Sequence, residues 1–417
     1  MSRILVDTPT APRSSLWRGP FESEDFRWFF LGITFLSLGV WIGDPAVRWL
    51  VQELTGEPFW VGVIGFTASF PMLVFSLPGG VLADRVNRVV LFTIGRGTGA
   101  LLSLGLAAGI VLNLVGVGHV AIYTFLVGAL VAIEIPARQS LIPRMVRPER
   151  LMGAVAISSG VWSTSLMLGP AISGWIISTL GTAWAFGIAA ALHMIAVVVF
   201  LKLRDTTKAE DPTLPRESPW RALVAGLVYI RHHDVIFGLI IVTIVCTVLG
   251  QPATMALLPS FAAGVLHAGP ETYGLLLTGM GLGSVLANVG LAARVRWGRR
   301  GRMAVLVAIL LAASTLALAF TRTPEAAFIA ITVQGVTQAT LLTLTSTLVQ
   351  ATVDEDMRGR VLSAYMLTWG MTSVGSLFFG SLGSLLGVPA ALTVGGLMLL
   401  VAVAVIRAKL PVIWALE

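Results

Sequence analysis

Apolar residues run along this chain in long, nearly charge-free stretches, and the charged residues gather between them. The stretches are continuous and lack the period-two alternation of barrel strands, so they predict helices. A helix needs about 20 apolar residues to cross the roughly 30 Å hydrocarbon core of a bilayer. By that measure the pattern predicts twelve spans, at roughly 27–52, 59–83, 90–112, 119–137, 152–178, 182–203, 235–262, 272–293, 303–321, 325–350, 361–385 and 388–407. The charge-free runs 151–201 and 361–406 are each too long for one span and read as hairpins of two helices. Thr179-Leu180-Gly181-Thr182 and Gly387-Val388-Pro389 supply their turns.

Composition sharpens this picture. The 417 residues are 56% hydrophobic and 12% charged, about half the charge of a soluble domain. The fold class is therefore all-α, a polytopic membrane protein. The net charge of +7 raises the question of nucleic acid. Its distribution answers it. With the N-terminus in the cytoplasm, all but three of the 28 basic residues fall in cytoplasmic segments; Arg96 lies inside the third span, and Arg48 and Arg322 lie toward the outside. This bias predicts cytoplasmic N- and C-termini and accounts for the charge as topology, so no nucleic-acid partner is expected. Cys246 has no partner for an intramolecular disulfide and is expected to pack as a small apolar residue.

The polar segment 204–234 is the one long loop, and it follows six spans. The organisation predicted is a cytoplasmic tail 1–25, a six-helix half 26–203, a linker 204–234, a second six-helix half 235–408 and a tail 409–417. The tail 1–25 is polar and lacks the apolar core of a signal peptide. Trp220–Arg231 reads as an amphipathic helix on the membrane surface. Short matches link the halves. Gly43-Asp44-Pro45-Ala46 recurs as Gly250-Gln251-Pro252-Ala253, and Leu141-Ile142 with Val146 recurs as Leu348-Val349 with Val353, each 207 residues on. Gly80 and Ala83 match Gly290 and Ala293 at 210. A parallel duplication of six helices is expected, with a site between the halves.

Candidate chemistry begins at Asp44, about 25 Å along the first span from Arg27 at about 1.5 Å per residue. An acid at that depth is paired, protonated or facing water. One reading makes Asp44 a proton carrier, with Arg48 one turn away; the other is a static Asp44–Arg48 ion pair. Pro45 and Pro252 each remove a helical hydrogen bond, so broken helices are expected in both spans. Glu134 and Arg138 form a second pair around Pro136, and Arg96 is expected to snorkel. Gln251, Asn288, Gln334, Gln338 and Trp369 are candidates for lining a substrate cavity, Gln334 and Gln338 sharing a helix face with Thr337. Trp41, Trp162 and Trp175 are further stacking candidates, whereas Trp49 and Trp60 fit an outer interfacial belt. No Gly-x-x-x-x-Gly-Lys-[Ser/Thr], no Gly-x-Ser-x-Gly and no metal-spaced ligand set occurs, His232-His233-Asp234 falling at the surface. Neither a cofactor nor a metal is expected, and the chain does not read as an enzyme.

Gly79-Gly80-Val81-Leu82-Ala83-Asp84-Arg85-Val86-Asn87-Arg88 closes a charge-free run with an abrupt charge cluster. It resembles the signature loop between helices 2 and 3 of the major facilitator superfamily. Leu54-Thr55-Gly56, Pro136-Ala137-Arg138-Gln139, Gly169-Pro170 and Asp354-Glu355-x-x-Arg358-Gly359-Arg360-Val361 look like the bacterial exporter branch that includes the enterobactin exporter and macrolide efflux proteins. The resemblance implies twelve helices, alternating access, and export of a drug- or siderophore-type compound from the bacterial inner membrane by proton antiport. It implies a cytoplasmic latch of Gly80, Asp84, Arg85, Arg88, Glu134 and Arg138. It implies that Gly169, Pro170 and Gly174 are the antiporter motif of the fifth span. Two departures stand out: Ser173 replaces the second glycine of the usual pair, and Arg294 stands where the acid of the helix 2–3 loop has its counterpart in the second half. The partners implied are a small-molecule substrate, a proton and membrane lipid. A lysophospholipid or other lipid-type transporter of the same fold is the alternative within the class, and a receptor or sensor without transport is the alternative outside it.

Overall fold

In the computed structural model, residues 19–203, 219–293 and 300–409 are described, apart from the side chains of residues 81, 83–85, 136, 139–140, 219, 292–293 and 300. Every regular element there is helical. The helices are α1 (Glu24–Thr55), α2 (Pro58–Arg85), α3 (Arg88–Val111), α4 (Val117–Met145), α5 (Leu151–Leu180), α6 (Thr182–Phe200) and α7 (Pro219–His232). Then come α8 (Asp234–Val245), α9 (Gln251–Gly264), α10 (Pro270–Ala293), α11 (Arg300–Phe320), α12 (Pro324–Thr352), α13 (Arg358–Gly370), α14 (Thr372–Leu386) and α15 (Val388–Lys409). A π turn, Cys246–Gly250, joins α8 to α9. Eleven of the described helical segments, α8–α9 counting as one, are long and apolar enough to cross a membrane. Helices α13 and α14 are separately too short for that count and follow each other at Met371.

Local chemistry fixes the ends. Ser23 caps α1 by accepting from Phe26 N, and Asn87 caps α3 by accepting from Val89 N and Val90 N. Gly181 and Gly387 sit at φ 92° and 83°, a left-handed region open to glycine, and make the two hairpin turns expected there. The turns at Gly56, Gly181 and Gly387 lie at one end of the bundle, which is poor in arginine. The turns at 86–87, 146–150 and 353–357 lie at the other, arginine-rich end.

The expected pair of broken helices is corrected on one side. α1 runs through Pro45 without interruption. The equivalent segment is interrupted, at the π turn before Pro252. Pro45 lacks only the bond to the Trp41 carbonyl, and that site is packed: a methyl on Gly169 of α5 would lie 2.9 Å from Trp41 O. Helix pairings recur along the chain. α2 packs on α4 as α10 packs on α12; α3 packs on α6 as α11 packs on α15; α1 packs on α5 as α9 packs on α14.

The first six helices meet the later ones through α5 with α10 and through α2 with α14. Apolar tails offer no hydrophobic drive between helices, so these contacts depend on close backbone approach at small residues. A methyl on Gly62 would lie 2.5 Å from Ser376 O, and one on Gly174 would lie 2.5 Å from Pro270 O. Polar bonds join the same end: Phe59 N donates to Ser384 Oγ (2.9 Å), Ser178 Oγ to Glu271 Oε1 (2.6 Å) and Ser260 Oγ to Gln52 Oε1 (2.5 Å). Trp49, expected in an interfacial belt, is instead buried at 6% exposure. It stacks on Tyr273 at 5.6 Å and donates from Nε1 to Oε1 of the exposed Glu53 (2.7 Å), so its ring packs against the second half while its donor reaches the surface. Toward the arginine-rich end of α5 and α10, Met152, Val155, Leu286 and Val289 are exposed. Cys246 is buried as expected.

Helix α7 carries the predicted amphipathic pattern. Leu223 and Ile230 are buried in one cluster with Val361, Ala364 and Tyr365 of α13, while Trp220 is exposed. Gly226 lets α7 approach the Arg360 backbone, and Tyr229 Oη donates to Asp354 Oδ2 (2.8 Å).

Candidate functional site

Five helices of the first half surround a cavity of about 200 Å³. Its walls come from α1, α2, α3, α4 and α6, and its polar lining includes Asp44, Arg48, Arg96, Tyr123 and His193. Asp44 and Arg48 are one turn apart on α1, which puts both on the same face. Arg48 Nε donates to Asp44 Oδ2 (3.1 Å) and Nη2 to Oδ1 (3.3 Å), a bidentate pair. The ion-pair arrangement read from the sequence is therefore the one present, and it lies on a cavity wall.

Arg96 does not snorkel. It is buried on α3 and pairs with Glu134 of α4, itself buried. Two charges at that depth require each other, because either alone would face a large desolvation penalty. Glu134 thus meets Arg96 across the helix pair. Arg138, one turn on, stacks its guanidinium over Trp162 of α5 at 5.3 Å, and Trp162 packs edge-on against Trp41 at 5.6 Å. Arg88, at the start of α3, is also buried. The side chains of Asp84 and Arg85 lie outside the described residues, so of the residues expected to form a latch the structure places Gly80, Arg88, Glu134 and Arg138. Gly79, rather than Gly80, provides the close approach to α4: a methyl there would lie 2.7 Å from Ile133 Cα, whereas one on Gly80 would meet open space.

The glycine-proline segment of α5 divides between two partners. Gly169 packs on the α1 backbone at Trp41, and Gly174 packs on α10 at Pro270 and Gly274. Ser173, the departure from the usual glycine, donates from Oγ to Ile42 O at 2.7 Å and is buried. Its hydroxyl ties α5 to α1.

The cavity candidates of the second half do not converge. Gln334 is buried and donates from Nε2 to Thr254 Oγ1 (2.6 Å) and Thr315 Oγ1 (3.1 Å), tying α12 to α9 and α11. Gln338 is half-buried beside the π turn with its amide group shielded from solvent, its Oε1 3.2 Å from where a methyl on Gly250 would stand. Gln251 opens α9 and is half-buried, whereas Asn288 and Trp369 are exposed. Trp175, too, is exposed. None of these residues lines the cavity of the first half.

His193 on α6 is the residue that the sequence reading missed. It is buried, lines the cavity, and packs against Gly39 of α1. A usable signal existed, since an ionisable residue inside a predicted span is a site candidate by position alone. Among the described residues no group of His, Cys, Asp and Glu is arranged to hold a metal.

The all-helical fold and the charged pairs held at membrane depth fit a polytopic membrane protein of the transporter class. The chain belongs to the transmembrane secretion effector family of the major facilitator superfamily, whose model matches residues 14–417. It is thereby a secondary transporter of small molecules. It is 25% identical over 372 residues to the staphyloferrin A transporter of Staphylococcus aureus, covering 89% of this chain and 92% of that one. It is 27% identical over 383 residues to the enterobactin exporter of Citrobacter koseri, covering 90% and 89%. Among solved structures it superposes on a sulfate-bound peptide transporter with a TM-score of 0.76 at 12% identity, covering 94% of this chain and 95% of that chain. It also superposes on a nucleoside transporter with a TM-score of 0.71 at 16% identity, covering 91% and 99%.

Proposed function

We propose that this protein exports a small amphipathic compound, of drug or siderophore type, by proton antiport across a bacterial inner membrane. The observation that carries the reading is the Asp44–Arg48 pair on the wall of a cavity at membrane depth. A carboxylate so placed has two stable arrangements. Ionised, it holds Arg48 by two hydrogen bonds; protonated, it releases Arg48 into the cavity. A proton taken up on one side and released on the other thus switches a guanidinium between two partners. The siderophore-type substrate is supported by the named relatives, a staphyloferrin A transporter and an enterobactin exporter.

The same reading takes α13–α14 as one span, making twelve, in halves 26–203 and 235–408 joined by the linker 204–234. Both termini are cytoplasmic, with the arginine-rich end inside. The arginine-poor end, where the halves meet at Gly62, Gly174 and Ser384, then faces outward and is closed. The latch residues belong to the opposite conformation, drawing the cytoplasmic ends together when the outer contacts part. Efflux of a lipophilic fluorescent dye from cells expressing the protein, with and without a protonophore, tests the central claim. Efflux that collapses with the protonophore supports proton antiport, and efflux indifferent to it removes the antiport.

A further inference from the structure

The cavity of the first half is rich in donors and poor in acceptors. Its only carboxylate is Asp44, and both of that group's oxygens are engaged by Arg48 Nε and Nη2. Arg48 Nη1 is buried and has no acceptor among the described residues. His193 is buried to 9% exposure, and neither ring nitrogen has a well-formed hydrogen bond, only a loose approach to the Leu36 backbone. Arg96 reaches the same wall, held by Glu134, which is not part of the lining. The hydroxyls of Ser103 and Tyr123 bond to each other at 2.9 Å. Around these groups the wall is apolar, with Val40, Val47, Ile64, Val127 and Val131.

Buried donors call for an acceptor, and guanidinium N–H groups bond most strongly to a charged one, here in addition to the carboxylates of Asp44 and Glu134 that already pair with them. An apolar wall with a few converging donors is the make-up of a small-molecule site. A space of about 200 Å³ is many times the roughly 10–15 Å³ that one water requires and has room for a compact organic acid. We propose that this cavity binds the carboxylate of a small, mostly apolar organic acid, with Arg48 Nη1, His193 and Arg96 as its donors. The site is lined by residues of the first six helices, and Arg48 Nη1 lies beside Gly65, where α2 meets Ser376 of α14. It requires no particular transport direction or coupling ion, so it stands apart from the export reading.

The experiment is equilibrium calorimetry on the purified full-length protein in lipid nanodiscs, with no gradient imposed. Benzoate is the probe, and benzamide is its neutral control of the same shape. Saturable benzoate binding is expected, with benzamide at least about tenfold weaker. His193→Leu keeps bulk and removes two ring nitrogens, and is expected to weaken benzoate about tenfold. Val127→Phe fills the cavity from α4 without touching a donor, and is expected to abolish binding. Both variants are first checked for a monodisperse, folded profile. The proposal is overturned if the wild-type protein shows no saturable binding, if benzamide binds as tightly as benzoate, or if both variants bind like wild type. A protein that binds benzoate while its dye efflux is indifferent to a protonophore would lose the antiport reading and keep this site.

Discussion

Asp44 and Arg48 were legible in the sequence because both partners lie on one helix, four residues apart, and helical geometry alone brings them together. The pairing of Arg96 with Glu134 was not legible in the same way, since the two lie on different helices and no local period encodes that meeting. Trp49 misled for the same reason: its position near a span end suits a belt, but Tyr273 from the other half stacks on it. Two outcomes follow at this scale. Asp44→Asn removes the proposed proton carrier, and export in proteoliposomes should lose its dependence on the proton gradient; an unchanged dependence would leave Asp44 as a static partner of Arg48. Glu134→Gln leaves Arg96 buried without its counter-charge, which should cost about 3–5 kcal/mol. Thermal unfolding in detergent should show the loss, and the double variant Arg96→Gln/Glu134→Gln should recover most of it.

The spans and hairpin turns could be read because hydropathy and glycine placement are local, and helices in a bilayer satisfy their own backbones. The fate of each proline could not. Pro45 is absorbed because Gly169 packs against the exposed carbonyl side, while the segment before Pro252 opens into a π turn. Contacts between elements can be tested directly. Gly274 meets Pro170 and Gly174 across the halves, so Gly274→Leu should hold the arginine-poor ends of α5 and α10 apart. A cysteine at Ser178 should then react faster with a membrane-impermeant thiol reagent, and transport should fall; unchanged labelling would argue against that contact as the seal. Tyr229 tethers α7 to the 353–357 turn. Its hydroxyl donates to the Asp354 carboxylate, and this bond, with smaller help from burial, raises the phenol above its usual value near 10. A raised folded value means that the tether is fully present below about pH 10 and is lost as pH climbs through the raised value. Tyr229→Phe should remove one phenolate step above about pH 10 from the absorbance titration; a titration unchanged from wild type would argue against the tether.

At the scale of the whole molecule, the repeats at offset 207 led to an expectation of two alike halves, and the helix pairings do recur from one half to the other. The expectation of a central cavity lined by Gln334 and Gln338 did not carry over, because such polar residues can bond to neighbouring helices as readily as to a ligand, and Gln334 does so. The latch is the remaining whole-molecule claim. Asp84→Asn should lower export several-fold while the protein still purifies as a folded species; wild-type turnover would dismiss a latch at that position.

The uninterrupted α1 and the π turn between α8 and α9 give the two halves different mechanical character. One is a strut, and the other carries a joint of wider, weaker backbone pairing beside the buried amide of Gln338. When such a body rocks, elastic deformation collects where compliance is greatest. The first half would then keep the spacing of its charged wall nearly constant through the cycle, as a fixed gauge, while the second half flexes around it.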